Sequence, residues 1–268
     1  MKYKAFISDF DGTLFSSDGN IPEENVEAIS GFVRKGGKFA LCTGRMTASA
    51  IIMLEKFPFN QLIAAYNGCE VWDNVNKKLL FSKGVPLDVT RRIIDFGRSE
   101  GLLPFVYFGS EVFTDDKTPF SEFYAKTCKV NVVAAGDVKK FAEEKSLVSP
   151  KVMLIGYPEQ IAKSRAEADK IFGKDCEIAE SYNGMLDFMP KGCDKGLAVK
   201  ALAKVWGIKT EECVAIGDEN NDAPMLKAAG LGVAMKNGRD ELKAIADRVT
   251  DADNDHGGVA ETIRRYCL

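Results

Sequence analysis

Short apolar runs, continuous rather than alternating, punctuate the chain: Ala5 to Ser8, Phe39 to Cys42, Leu62 to Tyr66, Cys213 to Gly217 and Leu231 to Met235. A strand covered on both faces has no polar side to show, so unbroken runs of this kind predict a parallel sheet. Helices are predicted between them over Pro22 to Lys35, which opens Pro-Glu-Glu, and over Thr47 to Phe57, Asp194 to Trp206, Asn221 to Ala229 and Arg239 to Ala246. Strand followed by helix, repeated, predicts an α/β fold whose parallel strands are joined by crossover helices.

The middle third breaks this rhythm. Shorter strands are predicted at Lys78 to Ser82, Leu103 to Phe108, Val112 to Asp115, Lys151 to Gly156, Glu177 to Glu180 and Met185 to Phe188. Helices over Pro86 to Glu100, Pro119 to Lys126, Val138 to Glu144 and Pro158 to Phe172 separate some of them. Hairpin-like turns, Phe108-Gly109-Ser110 and Tyr182-Asn183-Gly184, join others. The pattern predicts an α+β module inserted into the α/β domain, with boundaries near residues 82 and 189.

At 268 residues, 46% hydrophobic and 28% charged, the chain can bury a sizeable core. A net charge of -3 leaves no basic excess for a nucleic-acid backbone or an anionic membrane surface, which turns expectation toward a small-molecule substrate. The opening Met-Lys-Tyr-Lys-Ala-Phe-Ile-Ser-Asp reads as neither a signal peptide nor a spanning helix, so a cytoplasmic location is expected. No heptad or extended apolar patch stands out, and a monomer is expected. The seven cysteines are odd in number and widely spaced, with no Cys-x-x-Cys pair, which suits reduced, buried thiols better than disulfides or zinc. The single histidine, His256, leaves histidine-based zinc or triad chemistry without support.

The chemistry-bearing residues cluster after strands. Asp9-Phe10-Asp11-Gly12-Thr13 follows the first run directly, where an open α/β sheet presents ligand-binding groups. Two carboxylates that close need a cation or a proton, although Asp and Gly also make plain turns. Gly217-Asp218-Glu219-Asn220-Asn221-Asp222 follows another run, so two acidic clusters are expected on one edge of the sheet. Oxygen donors so gathered suit Mg²⁺, and the same residues would cap a helix from Asn221. Cys42-Thr43-Gly44-Arg45 offers a hydroxyl, a glycine-exposed N–H and a helix start to phosphate oxygens. Lys195, in Gly192-Cys193-Asp194-Lys195-Gly196, opens a helix with a point charge able to neutralise a phosphoryl group.

Taken in order and spacing, Asp-Phe-Asp-Gly-Thr, the Thr-Gly-Arg after the second strand, the Lys-Gly at a helix start and Gly-Asp-x-Asn-Asn-Asp-x-x-Met-Leu resemble the four motifs of the haloacid dehalogenase-like (HAD) superfamily. The large insert between the second and third motifs resembles the type-two cap of subclass IIB, the Cof-type sugar-phosphatase-like group. The resemblance implies a Rossmann-like catalytic core, residues 1–81 and 190–268, and a cap, residues 82–189, that opens and closes and sets substrate specificity. It implies that Asp9 is the nucleophile that forms an aspartyl-phosphate and that Asp11 is the general acid and base. Mg²⁺ would be held by the Asp9 carboxylate, the Asp11 backbone carbonyl and Asp218, with Asp222 completing the shell or orienting its waters and Lys195. The Phe10 N–H, Thr43, Gly44, Lys195 and Asn221 would hold the phosphoryl oxygens. In the cap, Glu180, Tyr182, Asn183 and the run Asp115-Asp116-Lys117 could face a polar leaving group. Asn67-Gly68 resembles a family position near the mouth of the site.

The function implied is a Mg²⁺-dependent phosphatase of small phosphorylated metabolites, with sugar phosphates the group-level expectation. Asp11 separates this from a dehalogenase, which has no alkoxide to protonate. A phosphomutase of the same fold remains as an alternative, as does a catalytically silent phospholigand-binding protein, against which the intact Asp9, Asp11, Lys195 and Asp218 set argues.

Overall fold

A computed structural model describes residues 2–54 and 62–268. The chain divides into two compact units, Met1–Phe81 with Asp194–Leu268, and Ser82–Cys193. The N-terminal segment supplies β1 (Ala5–Ser8), α1 (Glu23–Arg34), β2 (Lys38–Cys42), α2 (Thr47–Leu54), β3 (Leu62–Ala65), β4 (Glu70–Asp73) and β5 (Lys78–Ser82). Residues 55–57 of the predicted second helix lie outside the described residues. The insert supplies α3 (Leu87–Ser99), β6 (Leu103–Phe108), β7 (Glu111–Thr114), α4 (Pro119–Cys128), β8 (Asn131–Ala134), α5 (Val138–Glu144), β9 (Val152–Ile155), α6 (Pro158–Phe172), β10 (Cys176–Tyr182) and β11 (Met185–Pro190). The C-terminal segment adds α7 (Lys195–Trp206), β12 (Cys213–Gly217), α8 (Ala223–Ala228), β13 (Leu231–Ala234), α9 (Asp240–Lys243), β14 (Arg248–Val249) and α10 (Gly258–Tyr266).

In the first unit the strand order is β14-β13-β12-β1-β2-β3-β4-β5. The pairs from β14 through β3 are parallel and β4 returns antiparallel to β3. The five strands predicted for the parallel sheet are present, Lys78–Ser82, predicted with the middle third, joins the same sheet as its edge strand β5, and β1, β5 and β12 span the predicted residues. Alternate residues of each strand face opposite ways. Ala5, Ile7, Ala40, Cys42 and Ala64 therefore share one face, where they pack on Ala198, Val199 and Leu202 of α7. Phe6 and Phe39, paired in register, stack on the opposite face at 6.3 Å between ring centroids.

Helix α7 is seated against the turn at residues 66–68 by a backbone constraint. Gly68 has φ 93°, and a Cβ there would lie 2.8 Å from both the Ala198 N and the Asp194 O. Only glycine accommodates both the left-handed backbone and this approach. The first turn of α7, which carries Lys195, is therefore placed by contact with the loop after β3.

Two predicted helices start later or end earlier than their sequence pattern suggests. Asn220–Asp222 form a 3₁₀ turn and the helix proper begins at Ala223, with Pro224 in the first turn, where its missing N–H costs nothing. The Arg239 to Ala246 stretch is helical over Asp240–Lys243. Strands β4, β8 and β14 and helix α10 have no counterpart in the sequence prediction. Glu-Val-Trp-Asp is short and half apolar, Asn-Val-Val-Ala is only four residues long, β14 is two residues long, and α10 starts on a glycine pair.

The insert forms a second sheet, β10-β11-β9-β6-β7-β8, in which the predicted turns at 109–110 and 183–184 close antiparallel hairpins. Val152, Leu154, Leu186 and Phe188 cluster with Ile93, Ile161 and Phe172 on the helical side. Asp115 has a structural role here: it pairs with Arg98 at 2.6 Å and accepts the Val138 N–H at 2.9 Å, tying α3 to the start of α5. Six of the seven cysteines are buried. Among the described residues no helix is long and apolar enough to cross a membrane.

Replacing Gly68 with alanine is expected to cost about 1–3 kcal/mol through the positive φ alone, more with the backbone clash, and to disturb Lys195. Thermal unfolding of Gly68→Ala should show a lowered Tm; an unchanged Tm would show that α7 is seated by other contacts.

Candidate active site

Strands β1 and β12 are parallel neighbours, with Ser8 opposite Ile216, and the Asp9 N–H donates to the Ile216 carbonyl at 2.9 Å. Asp9 and Asp218 each follow the last residue of their strand, so they leave the same edge of the sheet side by side. From β1 the chain winds outward through β2 and β3, and from β12 it winds the other way through β13 and β14. The β1/β12 boundary is thus where the winding direction reverses, the place where open α/β sheets form a ligand crevice. The two acidic clusters converge there: oxygens of Asp9, Asp218 and Asp222, all buried, lie within 4.8 Å of one another.

Each carboxylate is held by local structure. Residues 10–14 make a tight turn in which Gly12 takes φ 75°, and a Cβ there would come 2.4 Å from Asp218 Oδ2. The buried Thr13 hydroxyl donates to Asp218 Oδ1 at 2.7 Å. Asp222 Oδ2 accepts the N–H groups of Asp218 and Glu219, both at 2.9 Å, which folds the β12 loop onto its own side chain. Lys195 opens α7 behind the N-cap Asp194, whose side chain accepts the Leu197 N–H at 2.9 Å. Its ammonium is 2.5 Å from Asp9 Oδ1 and 2.5 Å from Asp222 Oδ1, with the lysine side chain only 2% exposed.

The charges in this cluster do not balance. Three carboxyl groups share one ammonium, which bonds directly to two of them. Burial pushes the Asp9 carboxyl well above the ordinary range, with Lys195 pulling it back and Asp222 adding to the rise. Asp218 is pushed up to about 6, first by burial, against the Thr13 hydrogen bond, and further by the charge of Asp222. Burial alone would lower Lys195, but Asp9 and Asp222 hold it protonated, well above the usual lysine range. A buried set of hard oxygen donors with negative charge in excess fits a divalent cation, so these three aspartates could hold a metal ion.

Thr43, the first residue past β2, is fixed on both sides. Its N–H donates to Ala64 O at 2.8 Å and its carbonyl accepts the Asn67 N–H at 2.9 Å. Asn221 Nδ2 donates to Asn67 Oδ1 at 3.3 Å, so Asn67 links the loops carrying Thr43 and Asn221. The Phe10 side chain is buried against Phe15, with ring centroids 4.4 Å apart, which leaves its backbone as the group it can offer. Asp11 differs from the others. Its carboxylate lies outside the buried trio and forms a two-pronged pair with Arg45, Nε to Oδ2 at 2.7 Å and Nη2 to Oδ1 at 2.8 Å.

Three residues of the site were not singled out by sequence reasoning. Thr13 and Arg45 stood in the quoted motifs without a role, and a buried hydroxyl ending an acidic turn is a signal that could have marked Thr13. Asn237, whose side-chain amide donates to the Gly12 carbonyl at 2.8 Å across 225 residues, carried no local signal.

A model of the haloacid dehalogenase-like hydrolase family matches residues 6–263. The 5-amino-6-(5-phospho-D-ribitylamino)uracil phosphatase YitU of Bacillus subtilis is 27% identical over 268 residues, with 96% of this chain and 95% of that protein covered. A haloacid dehalogenase-like hydrolase from Bacteroides thetaiotaomicron superposes with a TM-score of 0.86 at 29% identity, covering 98% of this chain and 99% of the other. TM0651 from Thermotoga maritima superposes with a TM-score of 0.89 at 26% identity, covering 98% and 97%.

Thr13→Val keeps the shape of the side chain and removes its hydrogen bond to a buried carboxylate. The expected loss is about 1–3 kcal/mol in denaturant unfolding. A variant as stable as the wild type would show that Asp218 is held without Thr13.

Proposed function

The chain belongs to the haloacid dehalogenase-like hydrolase family, and we propose that it is a Mg²⁺-dependent phosphatase that hydrolyses small phosphorylated metabolites through an aspartyl-phosphate on Asp9. The observation that carries this reading is the contact of Lys195 with Asp9 inside the buried carboxylate trio. The ammonium engages Asp9 Oδ1, which leaves Oδ2 as the attacking atom.

In the first step Asp9 Oδ2 bonds to phosphorus while the bond from phosphorus to the ester oxygen breaks, and Asp11 gives its proton to the departing alcohol. In the second, Asp11 takes a proton from water as that water attacks phosphorus, releasing inorganic phosphate and restoring Asp9. The Phe10 N–H, Thr43, Gly44, Lys195 and Asn221 hold the phosphoryl oxygens in line, because an anionic nucleophile and an anionic ester otherwise repel each other. Asp9, Asp218 and the Asp11 carbonyl would hold Mg²⁺, which when bound supplies positive charge to the phosphoryl oxygens. Asp222 acts in the next layer: both of its oxygens are engaged, by Lys195 and by two backbone N–H groups, so it orients the ammonium and the Asp218 loop.

We assign the choice of ester to the inserted unit, residues 82–189, acting as the specificity cap. Phosphorylated sugars or polyols are the proposed substrate class, supported by the phosphoribityl ester named for the Bacillus subtilis relative.

Asp9→Asn is expected to lower phosphate release from an aryl phosphate to below about one-thousandth of wild type. EDTA should abolish the same activity, and added Mg²⁺ should restore it. Brief incubation with ³²P-labelled ester, acid quench and proteolysis should place label on the peptide containing Asp9. Undiminished turnover by Asp9→Asn would overturn the nucleophile assignment. Conversion of a hexose 1-phosphate to its 6-phosphate without phosphate release would replace the phosphatase with a mutase.

A further inference from the structure

Asp11, the proposed acid, stands at the exposed rim of the site, its side chain 54% exposed, on a segment whose backbone leaves helical geometry at Asp11 and Gly12. A short carboxylate at such a place would sample several rotamers and spend only part of its time aimed at a leaving group. Here both of its oxygens meet the guanidinium fork of Arg45, at 2.7 and 2.8 Å. A two-pronged pair fixes the plane of a carboxylate as well as its position, which a lysine ammonium cannot do.

Arg45 is itself restrained at three points. Its N–H donates to the Thr43 hydroxyl at 3.1 Å, its carbonyl accepts the Tyr66 N–H at 3.0 Å, and its guanidinium lies 5.8 Å from the centroid of the Phe10 ring. The chain thus places a guanidinium fork on the β2 loop, its backbone bonded on both sides, against the one proposed catalytic carboxylate that lies outside the buried cluster. An ion pair this exposed adds little to stability, so its geometry is the more informative property.

We propose that Arg45 is the positioning residue for Asp11: it holds the carboxylate at the rim, oriented for delivery of its proton to the leaving oxygen. This rests on the proposed function of the site. Arg45 contributes to the bond-breaking step in proportion to how much the leaving group needs a proton, which separates it from a residue that only binds phosphate.

The test is kcat/KM for hydrolysis of a series of phosphate monoesters, from 2,4-dinitrophenyl phosphate through phenyl phosphate to a primary alkyl phosphate, by wild type, Arg45→Ala, Arg45→Lys, Asp11→Asn and the double variant. A dinitrophenolate leaves without protonation, whereas an alkoxide does not. Arg45→Ala is expected to lose at least about tenfold more on the alkyl ester than on the dinitrophenyl ester, with Arg45→Lys in between. In the Asp11→Asn background the Arg45→Ala substitution should leave the leaving-group dependence unchanged. A uniform loss on every ester, or equal steepening with and without Asp11, overturns the proposal and makes Arg45 a phosphate ligand or a structural residue. Should wild type show activity but Asp11→Asn leave the leaving-group dependence untouched, the acid assignment fails and the proposal falls with it. If wild type releases no phosphate from any ester, it is the phosphatase reading that fails.

Discussion

One ammonium, that of Lys195, lies buried between carboxylates delivered by the loops after two neighbouring strands. Asp9, Asp218 and Asp222 lie close because an internal cation offsets their mutual repulsion, which in a low-dielectric interior otherwise favours uptake of a proton. Removing a partner from a buried pair of this kind typically costs about 3–5 kcal/mol, since the remaining charge keeps no counterpart. The position of Lys195 follows in turn from the seating of α7: small residues along its buried side, the Asp194 cap at its start and Gly68 beneath its first turn.

The ammonium is also insufficient by design of the residue set: three carboxyls to one cation leaves negative charge in excess. Burial raises Asp9 and Asp218, although the proposed nucleophile, Asp9, works as the anion. A divalent cation held by these carboxylates would favour ionised Asp9, as the proposed mechanism requires. With such a cation held, the proposed phosphate donors, backbone N–H groups, the Thr43 hydroxyl and the Lys195 ammonium, would offset the charge of an anionic ester.

The site is divided between a buried, mutually bonded interior and an exposed rim. Asp9, Thr13, Asp218, Asp222 and Lys195 are buried and mutually bonded. Asp11 and Arg45 are accessible and bonded to each other. The buried groups sit on strand ends and a helix start, and Asp11, the proposed proton-transfer group, sits where solvent and an ester can reach it.

The strand-helix rhythm of the core and the residues standing at its strand ends were legible along the chain, because buried parallel strands are written as continuous apolar runs and the chemistry follows them directly. Membership of the HAD-like family was legible for the same reason: its motifs are local. What each side chain touches was legible only in the folded structure. Thr13 and Asp218, 205 residues apart, meet because β1 and β12 pair, and Asn237 reaches Gly12 by the same closure. That Asp222 is fully engaged, that Asp115 is a structural anchor and that Asp11 belongs to Arg45 rather than to the buried trio are likewise properties of packing. A carboxylate's role depends on its neighbours in space, and strand pairing, which brings those neighbours together, leaves no mark at the positions it joins.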